Sequence, residues 1–199
     1  MRTAAGLEKS GMMDRPETDD GIQKRLEERD ALLKRPSRAR YDKVHARLEQ
    51  KWRRRELKAE RMMREVVDEL WDHFADNPYS WCGFYVLSPS GQDLMLGPHR
   101  DKPACSPLSL QGACGRALRE GKPVVFPDVK ALSEGYIECH PDTASEIALP
   151  VFDAHGKVWA VFDVDSRNKS AFDDMDQRWL ERILKHFQSL AKSEPGGLR

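Results

Sequence analysis

The fold is decided by residues 146–165, which read EIALPVFDAHGKVWAVFDVD. Residues 146–152 form a short apolar run that is typical of a strand. Residues 153–156 combine Asp, Ala, His and Gly, which is typical of a turn. Residues 157–165 form a second apolar run, so the pattern predicts a β-hairpin.

Outward from this hairpin, the sequence predicts a domain of mixed helix and strand. Three further strands are expected, over residues 81–87, 93–96 and 124–126. A short helix is predicted over 112–120, a long loop over 130–143, and a closing helix over 172–190. This order of elements predicts an α+β fold in α/β/α layers, with a mostly antiparallel central sheet.

The N-terminal part of the chain is strongly basic. Residues 24–65 contain 16 Lys or Arg and 8 Asp or Glu, whereas the whole chain of 199 residues has a formal net charge of +0. Residues 38–74 contain no Gly or Pro and predict one continuous helix. Its first half carries a thin apolar stripe (Tyr41, Val44, Leu48), which suits a protruding helix or a helix partner.

These patterns predict a division of the chain into four parts. They are a disordered tail (1–20), a long basic and helical N-terminal extension (21–60), a mixed α/β domain (61–192) and a C-terminal tail (193–199).

No apolar run approaches the length that spans a bilayer, and the first residues lack the apolar core of a secretory signal. We therefore expect a cytoplasmic protein without membrane association. Cysteines in that compartment are normally reduced, which favours catalytic, metal-binding or inert thiols over structural disulfides.

Three cysteines, Cys105, Cys114 and Cys139, lie in one stretch upstream of the hairpin, 9 and 25 residues apart. Neither spacing is a CxxC, so a metal knuckle is not supported and no metal is expected. Cysteines on loops around one pocket suit a cycle through sulfenic acid and disulfide, although each could instead be a buried apolar side chain. Cys82, within an apolar strand, fits that second interpretation.

The surroundings of two of these thiols affect their predicted acidity. Cys114 opens the short helix, and a helix N-terminus lowers the pKa of a thiol. Cys139 follows Glu138 and precedes His140, whose charges would act on it in opposite directions.

The second hairpin strand places Asp163 and Asp165 on one face, because side chains alternate along a strand. They form either a solvent-facing surface or a pocket for an ammonium group or a protonated sulfoxide oxygen. Glu146 would join that pocket or mark the end of its strand.

Together these residues resemble the free methionine-(R)-sulfoxide reductase branch of the GAF-domain family. The resemblance covers about residues 81–187. The matching segments are Trp81-Cys82-Gly83-Phe84-Tyr85, Leu96-Gly97-Pro98, Lys102-Pro103-Ala104-Cys105, Gly112-Ala113-Cys114-Gly115, Ile137-Glu138-Cys139, Ser145-Glu146-Ile147-Ala148-Leu149-Pro150 and Asp163-Val164-Asp165-Ser166. It implies a GAF fold for the domain over 61–192.

The resemblance also implies an activity, the reduction of free L-methionine-(R)-sulfoxide to methionine. Cys139 matches the attacking cysteine, Cys105 its resolving partner and Cys114 an additional cysteine. The acidic cluster that holds the substrate is matched by Glu146, Asp163 and Asp165, and Trp81 would wall the pocket or belong to the core. The implied reductant is a thioredoxin-like protein, with no cofactor.

Two segments depart from the family pattern. Residues 106–113 are one residue shorter than the usual glycine-rich segment. Around the matched nucleophile, Tyr136, Glu138 and His140 replace the family's residues.

Two other hypotheses compete with the enzyme. A GAF sensory or binding module would use the same cavity for a ligand or for redox sensing, and its N-terminal helix would transmit a signal or form a homodimer. A nucleic-acid-associated protein would use the basic extension around Arg53-Arg54-Arg55. The eight interleaved acidic residues favour a solvated helix surface over nucleic-acid binding.

Overall fold

The computed structural model describes residues 23, 38–53, 57–75, 77–100, 102–132 and 141–190. The chain divides into two compact units, Met1–Leu33 and Lys34–Arg199. Only Gln23 of the first unit is described, and it is helical. The predicted tails over 1–20 and 193–199 lie outside the described residues. In the described part, no helix is both long and apolar enough to cross a membrane.

The second unit is built on a six-stranded antiparallel sheet with the order β3-β2-β1-β6-β5-β4. The strands are β1 (Tyr79–Leu87), β2 (Asp93–Arg100), β3 (Leu108–Ser109), β4 (Val124–Phe126), β5 (Ser145–Phe152) and β6 (Val158–Ser166). The predicted hairpin is confirmed as β5 and β6, and the first two predicted strands pair as β1 and β2. The two-residue strand β3 was not predicted.

Among the described residues of the second unit, the α-helices around the sheet are α1 (Arg38–Trp52), α2 (Ala59–Phe74), α3 (Gly112–Glu120) and α4 (Asp174–Leu184). In the same part of the chain, 3₁₀ helices follow β4 and α4, at Val129–Ala131 and Lys185–Ser189. The predicted α+β fold with a mostly antiparallel sheet is therefore confirmed.

The prediction of one continuous helix over 38–74 is wrong. The chain folds into two helices, α1 and α2, that lie side by side with opposite directions, as the contacts of Arg40 with His73 and of Trp52 with Glu65 show. A straight helix of that length would extend about 55 Å and leave its first apolar stripe in water. Folding back instead buries Tyr41, Val44 and Leu48 in the domain's own core. That stripe is therefore neither protruding nor open to a helix partner.

The main core lies between α1, α2, α4 and one face of the sheet. Strand β6 contributes Ala160, Phe162 and Val164 to this face, and its alternate residues point to the opposite face. The period of two along β6 thus separates the core from the acidic residues.

Helix α3 covers the opposite face of the sheet over a smaller cluster that includes Trp81, Tyr85 and Cys114. The helix lies close to the segment that precedes it, since a Cβ added at Gly115 would overlap the backbone of Leu110. Glycine at this position is what allows α3 to lie so near the backbone of Leu110.

Helix α4 begins with a reciprocal capping box. Asp173 accepts hydrogen bonds from the backbone of Met175 and Asp176, and the Asp176 side chain accepts one from the backbone of Asp173. Asp176 is fully buried and interacts with the hydroxyl of Tyr41, which is hydrogen-bonded to Tyr79 at 2.8 Å. Burial is the main cause that raises the pKa of Asp176 to about 7.

The raised pKa of Asp176 predicts a pH-dependent stability. Between ~3.9, the value in an unfolded chain, and about 7, the folded state binds more protons, so the free energy of unfolding falls as the pH rises. Asp176→Asn removes this contribution. As the pH rises from 4 to 8, the free energy of unfolding of the variant should therefore increase by on the order of 3 kcal/mol relative to that of the wild type. Urea unfolding at a series of pH values measures the difference.

The exposed neighbour Asp174 provides the matched control for that experiment, because Asp174→Asn changes the same charge in the same turn. Its stability curve should run parallel to that of the wild type. Parallel curves for Asp176→Asn and the wild type would contradict the prediction.

Candidate active site

The hairpin brings three carboxyl groups together on the face of the sheet beneath α3. In the pairing of β5 with β6, Glu146 lies opposite Asp165 and Ala148 lies opposite Asp163. Because alternate residues share a face, the three acidic side chains and the small Ala148 lie on one surface. The predicted grouping of Glu146, Asp163 and Asp165 is therefore present.

These carboxyl groups are buried. The exposed fractions of Glu146, Asp163 and Asp165 are 7%, 7% and 6%. This burial excludes the solvent-facing surface that the sequence left open. Carboxyl groups withdrawn from water must be protonated or paired.

Cys114 lies within the same cluster. One donor atom each from Cys114, Glu146 and Asp163 lies within 4.8 Å of the other two, and the Cys114 thiol is hydrogen-bonded to Asp163. Burial, followed by the negative charges of Asp163 and Glu146, raises the pKa of Cys114 well above its ordinary value. The expectation that the helix N-terminus lowers this pKa is wrong, because burial and the neighbouring acids dominate.

The pKa values of both aspartates are raised well above the ordinary range of a carboxyl group. Burial is the largest cause for each, and the charge of Glu146 is the next. For Asp165 a hydrogen bond with Thr143 acts in the opposite direction. The protonated forms of both aspartates are therefore favoured over a wider pH range than those of carboxyl groups in water.

One oxygen of the cluster is available to a ligand. Oδ1 of Asp163 is buried and has no hydrogen-bond partner among the described residues. Buried polar atoms normally have partners, so an oxygen left in this state points to a group that binds there.

A metal ion would meet an unfavourable donor set in this cluster. Cys114 and Asp163 would first have to lose protons that burial and the neighbouring charges hold in place. The arrangement suits proton donation better than metal binding.

Trp81 connects this surface to the loop that carries Cys105. Its ring is buried beside Tyr85, and its Nε1 donates a hydrogen bond to the carbonyl of Lys102 at 2.8 Å. The hydroxyl of Ser106 accepts from the backbone N–H of Leu96, so the loop is held on both sides of Cys105. Trp81 thus belongs to the core of this face and also anchors the loop.

The cysteines occupy different environments. Cys105 is exposed, whereas Cys114 and Cys82 are buried free thiols. Cys82 packs in the main core, as its strand pattern predicts. Cys139, with Tyr136, Glu138 and His140, lies outside the described residues, so its role and its pairing with Cys105 stay predictions.

Sequence reasoning missed Thr143, which is buried and hydrogen-bonded to Asp165. Its position two residues before β5 was the available signal, since a hydroxyl at a strand entrance can contact the residues opposite.

A model of the GAF domain matches residues 56–189. The chain belongs to the GAF domain family.

This GAF domain also has relatives among curated proteins. The free methionine-R-sulfoxide reductase of Saccharomyces cerevisiae is 36% identical over 108 residues, which cover 53% of this chain and 59% of that protein. Protein YtsP of Bacillus subtilis is 38% identical over 107 residues, covering 53% and 64%. The chain thus spans about six tenths of the length of these two relatives.

Solved structures of similar GAF-fold proteins agree with this assignment. The X-ray structure of free methionine-R-sulfoxide reductase from Neisseria meningitidis in complex with its substrate is 28% identical and has a TM-score of 0.68. The match covers 74% of this chain and 86% of that one. The present GAF domain is therefore similar to reductases in both sequence and fold.

The two environments predict different thiol reactivities in the native protein. Thiolate is the reactive form, and burial raises the pKa of Cys114, so a maleimide or iodoacetamide should modify exposed Cys105 at least ten times faster. Mass spectrometry of the digested protein measures each site separately. Denatured protein is the control, in which both should react at similar rates. Equal modification rates of Cys105 and Cys114 in the native protein would contradict the burial of Cys114.

Proposed function

We propose that this GAF domain reduces the sulfoxide of free methionine by a thiol-dependent reaction. The observation that carries the proposal is the buried acidic cluster, in which burial and the charge of Glu146 raise the pKa of Asp163 well above its ordinary value. Its buried Oδ1 has no hydrogen-bond partner among the described residues. The similarity to proteins named free methionine-R-sulfoxide reductase supports this substrate.

Asp163 is the candidate general acid. Attack of a thiolate on the sulfoxide sulfur places negative charge on the oxygen, and a proton delivered there lowers the barrier. A carboxyl group with a raised pKa holds that proton near neutral pH, as buried carboxylic acids do in other enzymes. Once Asp163 has given its proton away, the resulting anion remains in a buried environment that favours reprotonation.

Glu146 and Asp165 are candidates for holding the free amino acid. A methionine molecule that is not part of a protein carries an ammonium group, which would be attracted to a carboxylate across the β5–β6 pair. That cation would also supply the opposite charge that allows one buried carboxyl group to ionise. Preference for a free amino acid over a peptide would follow, because a peptide-bound residue lacks this charge.

The redox step uses the cysteines that the family resemblance assigns. The Cys139 thiolate attacks the sulfoxide sulfur while the acid protonates its oxygen. Collapse releases methionine and leaves the oxygen on Cys139 as a sulfenic acid. The Cys105 thiol then attacks that sulfur, forming a Cys105–Cys139 disulfide and releasing water. Two electrons have passed from the thiols to the substrate.

A dithiol reductant completes the cycle. Exposure of Cys105 leaves its sulfur open to attack by a thioredoxin-like protein, which would take up the disulfide by thiol exchange. Cys114, buried with a raised pKa, is poorly suited to be the attacking thiolate and serves in this proposal as part of the acidic pocket.

The cysteine roles predict a graded pattern of activities. With free methionine-R-sulfoxide and a thioredoxin system, Cys139→Ser should abolish turnover and Cys105→Ser should block the second cycle while still releasing one methionine per protein. Cys114→Ser should retain more activity than either, since serine preserves a small polar group in the pocket. Methionine release measured by chromatography distinguishes the three.

The wild-type result decides between enzyme and sensor. Repeated turnover supports the reductase. A single sulfenic acid per protein, with no further methionine released in the presence of reductant, would contradict it and favour the sensory module.

The acid role of Asp163 predicts a characteristic defect. Asp163→Asn keeps the size of the side chain but removes the transferable proton, so kcat should fall roughly 10²–10⁴-fold. In the wild type, kcat should decline as the pH rises through the raised pKa of the carboxyl group, and this limb should be absent from the variant. Rate profiles against pH provide the measurement.

Asp142→Asn is the matched control, because Asp142 is an exposed carboxylate that precedes β5 and lies 4.0 Å from Arg167. It should keep the wild-type rate and pH profile. An Asp163→Asn enzyme with the same profile would exclude Asp163 as the acid.

A further inference from the structure

A second cluster of metal-ligating side chains lies on the face of the sheet opposite the acidic site. His45 and Glu49 are one turn apart on α1, and His186 lies in the 3₁₀ helix Lys185–Ser189 near the end of the described chain. One donor atom from each of these three residues lies within 4.8 Å of the other two. The cluster therefore joins the first helix of the domain to its last.

The two imidazole rings approach each other through equivalent nitrogens. Nε2 of His45 lies 3.3 Å from Nε2 of His186. Two nitrogens bound at ~2.0–2.1 Å to one tetrahedral zinc ion are separated by about 3.3 Å. The two rings form a hydrogen bond across this distance, in which one Nε2 donates. The same spacing matches a pair of ligands on one ion after that ring changes tautomer.

Glu49 supplies the third donor. Its Oε2 lies 3.8 Å from Nδ1 of His45, beyond hydrogen-bond distance, and its side chain is about half exposed. A carboxylate that is free to rotate within this range can turn toward an ion held between the rings. Two imidazoles and one carboxylate are a donor set that zinc uses in proteins.

A route for an ion reaches the cluster from outside. Glu49 and His186 line a cavity of about 320 Å³ whose other walls include Trp52, Arg53 and Ser189. The ring of Trp52 lies against His186 with centroids 5.1 Å apart, which restricts the orientation of the imidazole.

We propose that His45, Glu49 and His186 bind a divalent transition-metal ion of the zinc type. The ion would cross-link α1 to the C-terminal 3₁₀ helix. Because the three residues come together only in the folded chain, an ion bound there stabilises the folded state. This site is separate from the acidic cluster and does not depend on the reductase activity.

The test is zinc binding by the full chain after treatment with a chelator and dialysis. A competition titration against a chromophoric chelator measures affinity and stoichiometry. The wild type should take up one equivalent, and thermal unfolding should show a higher Tm with zinc. His186→Gln should weaken binding at least tenfold, since even the loss of an outer-shell partner commonly costs that much. It should also lose the zinc-dependent shift in Tm.

Two controls keep the result specific. His155→Gln changes an exposed histidine in the turn between β5 and β6 and should bind zinc as the wild type does. Glu49→Gln tests the third ligand at a partly exposed position where misfolding is not expected, and it should also weaken binding. Circular dichroism of each metal-free variant checks that the fold is kept.

Cobalt(II) distinguishes this site from the cysteines. Binding to His45, Glu49 and His186 should give the visible bands of a tetrahedral nitrogen and oxygen site without the near-ultraviolet charge-transfer band of a thiolate. No zinc uptake, equal uptake by the wild type and His186→Gln, or a thiolate band on the first equivalent of cobalt would each overturn the proposal.

Discussion

The burial of Asp163 and Asp165 on one strand, facing Glu146 on the next, is the constraint on which the site depends. The pairing of β5 with β6 fixes this arrangement, since the apolar residues of β6 alternate with the two aspartates. A slip of one residue in this register would place the carboxyl groups in the main core and Ala160, Phe162 and Val164 beneath α3. The apolar core therefore holds the acidic cluster in place.

Burial of these groups destabilises their charged forms, and the protein tolerates this because the carboxyls can hold protons. Each unit of upward pKa shift corresponds to about 1.4 kcal/mol between the two protonation states. The same property that opposes stability at high pH supplies a proton donor at neutral pH. Burial beneath α3 is the largest cause of the raised pKa of both aspartates.

Much of the fold follows from local patterns in the sequence. The β5–β6 hairpin, the β1–β2 pair and helix α3 were all predictable from periodicity and turn residues. The break between α1 and α2 was not, because residues 38–74 lack Gly and Pro and only the tertiary contacts of Tyr41 and Leu48 show that the chain turns back. The short strand β3 depends on pairing with β2 and has no local signal of its own.

The site was predictable in composition but not in its electrostatics. The alternation of side chains along β6 predicts that Asp163 and Asp165 lie on one face. Only their burial in the structure distinguishes a solvent-exposed surface from a pocket of protonated carboxyl groups. The position of Cys114 at a helix N-terminus predicts a lowered pKa, whereas burial and the neighbouring acidic groups raise it. The linear sequence does not show which acidic groups lie next to Cys114 in the folded chain. Thr143 and the His45–Glu49–His186 cluster depend on contacts between distant segments.

The protonation state of Asp163 near neutral pH is the most direct test of this account. Nuclear magnetic resonance of protein labelled with ¹³C at the aspartate carboxyl groups, titrated from pH 3 to pH 9 and assigned with Asp163→Asn, measures it. The account predicts that the ¹³C chemical shift of the Asp163 carboxyl at pH 7 is still that of the protonated form. A carboxyl that ionises near the ordinary value of ~3.9 would contradict it.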